Sequence, residues 1–134
     1  MQFSVDLITY RGLYKTIETD KLNLPTSDGR RTILSNHMPV IIPIELGVIE
    51  THNNEGLFHY ASSEGMVYFE NNKATVVCDT IIDINEADIG YYEERLENAK
   101  KELKQARNDE DIKRANIKIL RAANILKHSK NHKA

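Results

Sequence analysis

A chain of 134 residues, 40% apolar and with a formal charge of −2, has room for one modest core and not for two large ones. No apolar run approaches the roughly 18 residues of a membrane-spanning helix, and the start Met1-Gln2-Phe3-Ser4-Val5-Asp6 lacks the basic and apolar regions of a secretory signal. The single cysteine, Cys78, permits no internal disulfide and fits a reducing cytoplasm, so the chain is not expected to be membrane-spanning, secreted or disulfide-stapled.

Phe3, Val5 and Leu7 alternate with Ser4, Asp6 and Ile8, the pattern of a half-buried first strand. Gly12 punctuates, and a second extended region from Leu13 to Leu24 ends at Pro25 and Ser27-Asp28-Gly29. The stretch from Asn36 to Pro43 holds two prolines and favours turns and extended backbone. Val48-Ile49 leads into the hairpin signal Asn53-Asn54-Glu55-Gly56, after which Leu57, Phe58 and Tyr60 resume. Met66-Val67-Tyr68-Phe69 turns at Asn71-Asn72 into Ala74-Thr75-Val76-Val77, the clearest hairpin of the chain. Short strands at this spacing predict a sandwich or barrel, and the lack of any useful helix before residue 86 disfavours a parallel sheet. Cys78 ends a strand-like run and reads as a small buried apolar residue.

The chain changes character at about residue 88. All three prolines and five of the six glycines precede it. Beyond it, Ile89, Tyr92, Leu96, Ala99, Leu103 and Ala106 step by three and four, and Ile112, Ala115, Ile119, Ala122 and Leu126 repeat the pattern after a polar break. The prediction is an antiparallel two-helix hairpin over about 86 to 128, in a second domain (85–134) that ends in a disordered tail, behind a β domain (1–84). Asn85, Glu86 and Asp88 supply capping oxygens for the first helix, and Asn108-Asp109-Glu110-Asp111 for the second. Ile117, Leu120 and Ile125 form a second stripe that needs a further surface, either the sandwich or a partner. With few large apolar side chains to offset its ordering entropy, the hairpin is expected to need a surface to lie on, and to be suited to two docked states.

Charge divides with the domains. Residues 1–87 carry 12 acidic and 6 basic side chains, net −6; residues 88–134 carry 8 and 12, net +4. The cations Lys113, Arg114, Lys118, Arg121, Lys127, Lys130 and Lys133 follow the last acid, Asp111. They read either as a solvated face or as a surface for an acidic protein; nucleic acid is disfavoured because no aromatic side chain accompanies them. None of His37, His52, His59, His128 and His132 is paired at metal-ligand spacing within the folded part, and the tail pair His128 and His132 is a weak candidate. There is no nucleophile elbow, phosphate loop or Cys-x-x-Cys, so no metal, no cofactor and no catalytic residue is expected.

The run Gly29-Arg30-Arg31-Thr32-Ile33-Leu34-Ser35-Asn36-His37-Met38-Pro39, continued to Gly47, resembles the G-x-x-G-I-L-P-x-H-x-P segment of the epsilon subunit of bacterial F-type ATP synthase, the counterpart of mitochondrial delta. Ser62-Ser63-Glu64-Gly65-Met66-Val67-Tyr68-Phe69 resembles the family's S-G-G-F-x-x-V stretch. Asn72-Lys73-Ala74-Thr75-Val76-Val77-Cys78-Asp79-Thr80 resembles N-x-V-T-V-L-A-D-x-A, and Lys113-Arg114-Ala115 with Leu120-Arg121-Ala122 fits the second helix. The resemblance spans nearly the whole chain in order and spacing.

It implies a sandwich of about ten strands followed by a helix–loop–helix. It implies a central-stalk rotor subunit, without an active site, that contacts the gamma subunit and the c-ring and couples proton-driven rotation to ATP synthesis. Its helices would regulate hydrolysis by reaching the alpha and beta catalytic subunits, and the subunit would lie peripherally on the cytoplasmic face of the bacterial plasma membrane. The implied ring contact comprises Gly29, Arg30, Arg31, Asn36, His37 and Pro39; the implied catalytic-head contact comprises Lys113, Arg114, Lys118 and Arg121. The family often carries an acid at the position of Arg30 and glycine at that of Thr32. Its ATP motif I/L-D-x-x-R-A falls on Ile89-Gly90-Tyr91-Tyr92-Glu93-Glu94, where a carboxylate replaces the guanidinium. Regulatory ATP binding is therefore expected to be weak or absent, with Arg114 and Arg121 as the residual candidates. Two other classes stay open: a stand-alone sandwich module that dimerises through its hairpin, and a small-molecule enzyme built on His37, His59 and a carboxylate.

Overall fold

The computed structural model describes the backbone of residues 1–133 and side chains through Ser129. The chain falls into two compact units, Met1–Asp83 and the residues from Ile84 onward.

The first unit is a β-sandwich of ten strands. One sheet (sheet A) contains β1 (Phe3–Thr9), β2 (Gly12–Thr19), β5 (Val40–Ile44), β8 (Gly65–Glu70) and β9 (Lys73–Cys78), in the order β2-β1-β9-β8-β5. The other (sheet B) contains β3 (Lys21–Thr26), β4 (Gly29–Leu34), β6 (Gly47–Asn53), β7 (Gly56–Ser62) and β10 (Ile81–Asp83), in the order β10-β7-β6-β3-β4. The expected ten-strand sandwich and its two trailing helices are thus the observed fold. Phe3, Val5, Leu7, Leu22, Leu24, Ile33, Ile49, Val67, Phe69 and Val76 fill the space between the sheets and are essentially inaccessible.

Local turn chemistry sets the hairpins. Asn71 and Asn72 both have positive φ (53° and 59°), as a two-residue turn matched to strand twist requires, and asparagine tolerates that region better than most residues. The chain repeatedly crosses between the sheets at tight corners. At the β2 to β3 corner the buried Thr19 hydroxyl is held by the backbone of Lys21 and accepts from the N–H of His52 at 2.9 Å. At another corner the N–H of Ser63 donates to the Thr80 carbonyl at 3.0 Å, and the N–H of Thr80 donates to the Ser63 hydroxyl at 3.1 Å. The expectation against parallel pairing needs correction: β1 and β9 run parallel, Ser4 to Ile8 alongside Lys73 to Val77. A parallel neighbour requires a long connection but not a helical one, and here seven intervening strands make the return.

Asp6, on the outer side of β1, accepts a 2.7 Å hydrogen bond from the Thr16 hydroxyl and a 3.1 Å ion pair from Lys73. The Thr16 hydrogen bond, then the Lys73 ammonium, hold its carboxyl below the ordinary carboxylate range. A lowered folded-state value means that this support is present above the ordinary aspartate range and is lost as pH falls through the folded value. NMR titration is expected to place the Asp6 midpoint below that of a model aspartate, and Thr16→Val to move it upward; an unmoved midpoint contradicts this account.

The second unit begins with a 3-10 turn, Ile84–Glu86, followed by α1 (Ile89–Gln105) and α2 (Asp109–Lys133). Asp88 caps α1, accepting from the N–H of Tyr91 at 3.2 Å. Asn108 caps α2: its side-chain oxygen accepts from the N–H of Asp111 at 2.8 Å, and its amide donates to the Asp111 carboxylate. On α1 the least exposed positions are Ile89, Tyr92, Leu96, Ala99 and Leu103, and the seam read from spacing ends at Ala106, the residue that caps the helix. Ala99 and Ala115 are buried where the helices pack, and Glu102 of α1 pairs with Lys118 of α2 at 3.0 Å. The helix end expected near His128 is corrected, since α2 runs from Asp109 to Lys133. Ala134 and the side chain of His132, half of the tail histidine pair, lie outside the described residues.

Candidate functional site

Strand alternation decides what the outside of sheet A shows. Because Val5, Leu7, Val76, Val67 and Ile42 point inward, their neighbours point outward. The register then lines up Leu13 with Ile8, Ile8 with Val77, Val77 with Met66, and Met66 with Pro43. One apolar row therefore crosses all five strands. Beside it Tyr68 pairs with Ile41, and the next positions, Thr75, Asp6 and Thr16, are polar. Leu13 is 62% exposed, Ile41 61%, Tyr68 43% and Val77 41%. A contiguous apolar band on an otherwise polar face marks an interaction surface, whereas scattered apolar residues do not. The register shift at Leu7 and Ile8 brings Leu13 into this row, opposite Ile8. Sequence reading missed the band because its members come from five separate segments.

The residues read as a ring contact do not form one cluster. Gly29, Arg30 and Arg31 begin β4, while Asn36, His37 and Pro39 follow its far end, a strand length of roughly 17 Å away. At the near end, the Arg30 guanidinium binds the side-chain oxygen of Asn23 and, at 3.4 Å, the Asn23 carbonyl. Arg31 is exposed. At the far end, the N–H of Asn36 donates to the Asn72 side chain at 2.7 Å, and the Ser35 hydroxyl donates to the same oxygen. Asn36 has a φ of 67°, which its short polar side chain tolerates. His37 is turned toward its own chain, with Nδ1 2.7 Å from the Met38 carbonyl and its ring edge-on to Phe69 at 6.0 Å. The adjacent Leu34 and Met38 stand exposed.

His59 faces Glu50 at 3.1 Å on β7 and β6, and His52 faces Asp20 at 3.0 Å. His37 and His59 thus have separate surroundings, and the arrangement brings them to no common reaction centre.

On the hairpin, Arg114 pairs with Glu110 at 3.3 Å and Asp111 at 3.7 Å, and Lys118 with Glu102. Arg121 is half-buried, and Lys113 is exposed. Helical spacing had shown the cations but not the partner acid of Lys118, Glu102 on α1. Of the second apolar stripe, Ile125 is buried, while Ile117 and Leu120 remain exposed. The helical seam is occupied within the chain by α1 and α2, so dimerisation through that same seam is not needed to cover it.

The chain is similar to known proteins in sequence and in fold. The family model for the ATP synthase delta/epsilon chain, β-sandwich domain, matches residues 2–84. The ATP synthase epsilon chain of Desulfitobacterium hafniense (strain Y51) is 31% identical over 129 residues, covering 96% of this chain and 97% of that one. That of Lactobacillus helveticus is 30% identical over 129 residues, covering 91% and 88%. Among solved structures, a chain of the Euglena gracilis mitochondrial ATP synthase, from the OSCP/F1/c-ring in rotational state 1, superposes with a TM-score of 0.67 at 16% identity, covering 89% of this chain and 76% of that one. At that identity the likeness is one of fold.

Proposed function

The chain belongs to the ATP synthase delta/epsilon family, and from that membership we propose that it is a rotor subunit of the central stalk, coupling proton-driven rotation to ATP synthesis. Its partners are the gamma subunit, the c-ring and, through the hairpin, the alpha and beta subunits. It has no active site of its own, and it lies peripherally on the cytoplasmic face of the bacterial plasma membrane through the complex. No helix among the described residues is long and apolar enough to cross a membrane.

The observation that carries this reading is the apolar band of Leu13, Ile8, Val77, Met66 and Pro43. A protein that docks permanently on a shaft needs a broad, rigid, water-excluding face, and a five-stranded sheet supplies one. The gamma subunit is assigned to this band. Gly29, Arg30 and Arg31 are assigned to the ring, with Asn36, His37 and Pro39 contacting the rotor at the other end of β4. The hairpin is the regulatory arm. Ile117 and Leu120 lie exposed on α2 near Lys113, an arrangement suited to an acidic, partly apolar surface of the catalytic head. ATP binding by the hairpin is weak or absent: Glu93 would repel phosphates, and Arg114 is already engaged by Glu110 and Asp111.

Reassembly of the complex tests the reading. The full chain is expected to co-purify with gamma and c subunits, and Leu13→Asp with Val77→Asp to abolish this while leaving the fold intact. A chain ending at Asp83 is expected to retain coupling but to lose inhibition of hydrolysis. Full affinity of the double aspartate variant, or unchanged inhibition by the shortened chain, overturns the corresponding half.

A further inference from the structure

We infer that the free edge of β4 is a strand-addition site for an extended acidic segment of a partner protein. The inference concerns the backbone of β4 and stands apart from the stalk assignment above. The edge of any open sheet offers unpaired N–H and C=O groups to another strand, and natural sheets blunt their edges against unwanted pairing. The edges here are β2 and β5 in sheet A, and β10 and β4 in sheet B. β2 is distorted by the register shift opposite Leu7 and Ile8. β5 contains Pro43, which has no N–H to donate. β10 is three residues long, Ile81–Asp83. β4 carries none of these devices. It runs for six residues without proline, and it pairs with β3 in unbroken register, from Lys21 with Leu34 to Thr26 with Gly29. Every residue of β4 except Ile33 is exposed.

What guards β4 is charge, and charge selects as well as excludes. Alternation sends the neighbours Arg30 and Arg31 to opposite faces of sheet B. Arg30 lies on the outer face and is drawn back over β3, where Nε and Nη2 bind Asn23. Arg31 pairs with Leu24, a core residue, so it leaves β4 on the inner face, at the margin of the sandwich. No hydrogen bond or ion pair engages Arg31 among the described residues. Pairing β4 with its own copy would gather further guanidinium groups at one edge, and facing like charges oppose pairing. An acidic strand meets the reverse situation. Residues 1–87 hold 12 acids and 6 bases, so most of the sandwich repels such a segment, and this edge attracts it. In strand addition, main-chain hydrogen bonds supply the hold, and alternate side chains supply the selection. An antiparallel partner strand places a carboxylate opposite Arg31, a β-branched polar residue opposite Thr32 and an apolar side chain opposite the exposed Leu34.

The probe is a synthetic peptide containing Leu-Val-Thr-Glu-Thr, titrated into the full-length chain and followed by NMR. Shift changes are expected along residues 29–34, and the β4 amides that exchange freely in the free chain are expected to become protected. Replacing the peptide glutamate with lysine is expected to weaken binding about tenfold, and Arg31→Glu to reverse that preference by a similar factor. Two further peptides carry N-methyl groups on alternate backbone nitrogens. The set that faces β4 is expected to abolish binding, and the other set to leave it unchanged. Thermal unfolding of Arg31→Glu is expected to match the parent, as for exposed substitutions generally; if it unfolds early, the lysine and N-methyl peptides decide with the parent chain. Unshifted β4 resonances, or equal binding of the two N-methyl peptides, overturn strand addition. A preference for glutamate that survives in Arg31→Glu overturns the acidic partner. Protection of β4 that grows with chain concentration in the absence of peptide gives the edge to a second copy and also overturns the inference. No rotor component enters the test, so its failure leaves the stalk assignment standing.

Discussion

Replacing Phe69 with alanine is expected to lower the unfolding free energy of the sandwich by about 4 kcal/mol, a large share of what a domain of this size has. The ring is 2% exposed and sits edge-on to Phe3 at 5.3 Å. Its removal takes away the transfer free energy of a full aromatic side chain and leaves a cavity whose walls are strand backbones that cannot collapse. The aromatic pair contributes about 1 kcal/mol of this beyond area. A second consequence is local. His37 leans on the same ring, so residues 35–39 lose the support behind them and keep the Asn72 clamp and their local hydrogen bonds. Phe69→Leu, which preserves most of the volume, is expected to cost under about 1.5 kcal/mol. Urea unfolding measures both changes, and amide hydrogen exchange at Asn36 and His37 reads the loop. A loss below about 1 kcal/mol in the alanine variant contradicts the packing described here, and unchanged exchange contradicts the coupling of loop to core.

Gly65→Ala is expected to be as damaging through the opposite mechanism. A Cβ at this position would lie 2.1 Å from the Val77 carbonyl oxygen, 2.8 Å from Cys78 Sγ and 3.1 Å from Cys78 Cα. Two of these atoms belong to the β9 backbone, which is locked into ladders with β8 and β1. Nothing flexible is available to give way, so the strands must separate at the point where Gly65 pairs with Cys78. A cost of about 3 kcal/mol follows, or a fall in melting temperature of about 15–20 °C. Gly47→Ala provides the contrast. Its Cβ would meet Pro25 Cβ and Cγ at 3.0 and 3.2 Å, a much smaller overlap than the 2.1 Å approach to a carbonyl oxygen at position 65. About 1 kcal/mol is expected there. Equal effects at the two glycines would show that crowding against β9 is not what excludes a side chain at position 65.

Much of the local structure was legible in the residues. The alternation of Phe3, Val5 and Leu7, the asparagine turn at positions 71 and 72, and the three-and-four spacing from Ile89 onward each report a property carried by neighbours within one or two turns of backbone. The asparagine that caps α2 was visible for the same reason. The family signal around Gly29 to Gly47 belongs with these, since it too is written in contiguous residues. The continuation of α2 beyond His128 was not legible, because Ser129, Lys130 and Asn131 carry no apolar step by which to extend the pattern.

Surfaces followed another logic. Leu13, Ile8, Val77, Met66 and Pro43 come from five strands, and only inter-strand register, with the shift near Ile8 included, makes them neighbours. Gly29 and His37 look adjacent in the chain, yet extended backbone at about 3.3 Å per residue carries them to opposite ends of β4. The parallel contact of β1 with β9 and the pairing of Glu102 with Lys118 likewise join residues that no local pattern relates. Element type, turn chemistry and family were therefore readable from the order of residues, because short-range backbone and side-chain preferences govern them. The apolar band across sheet A and the separation of the two loop clusters emerged with the packed sandwich, because long-range pairing chooses which side chains share a surface.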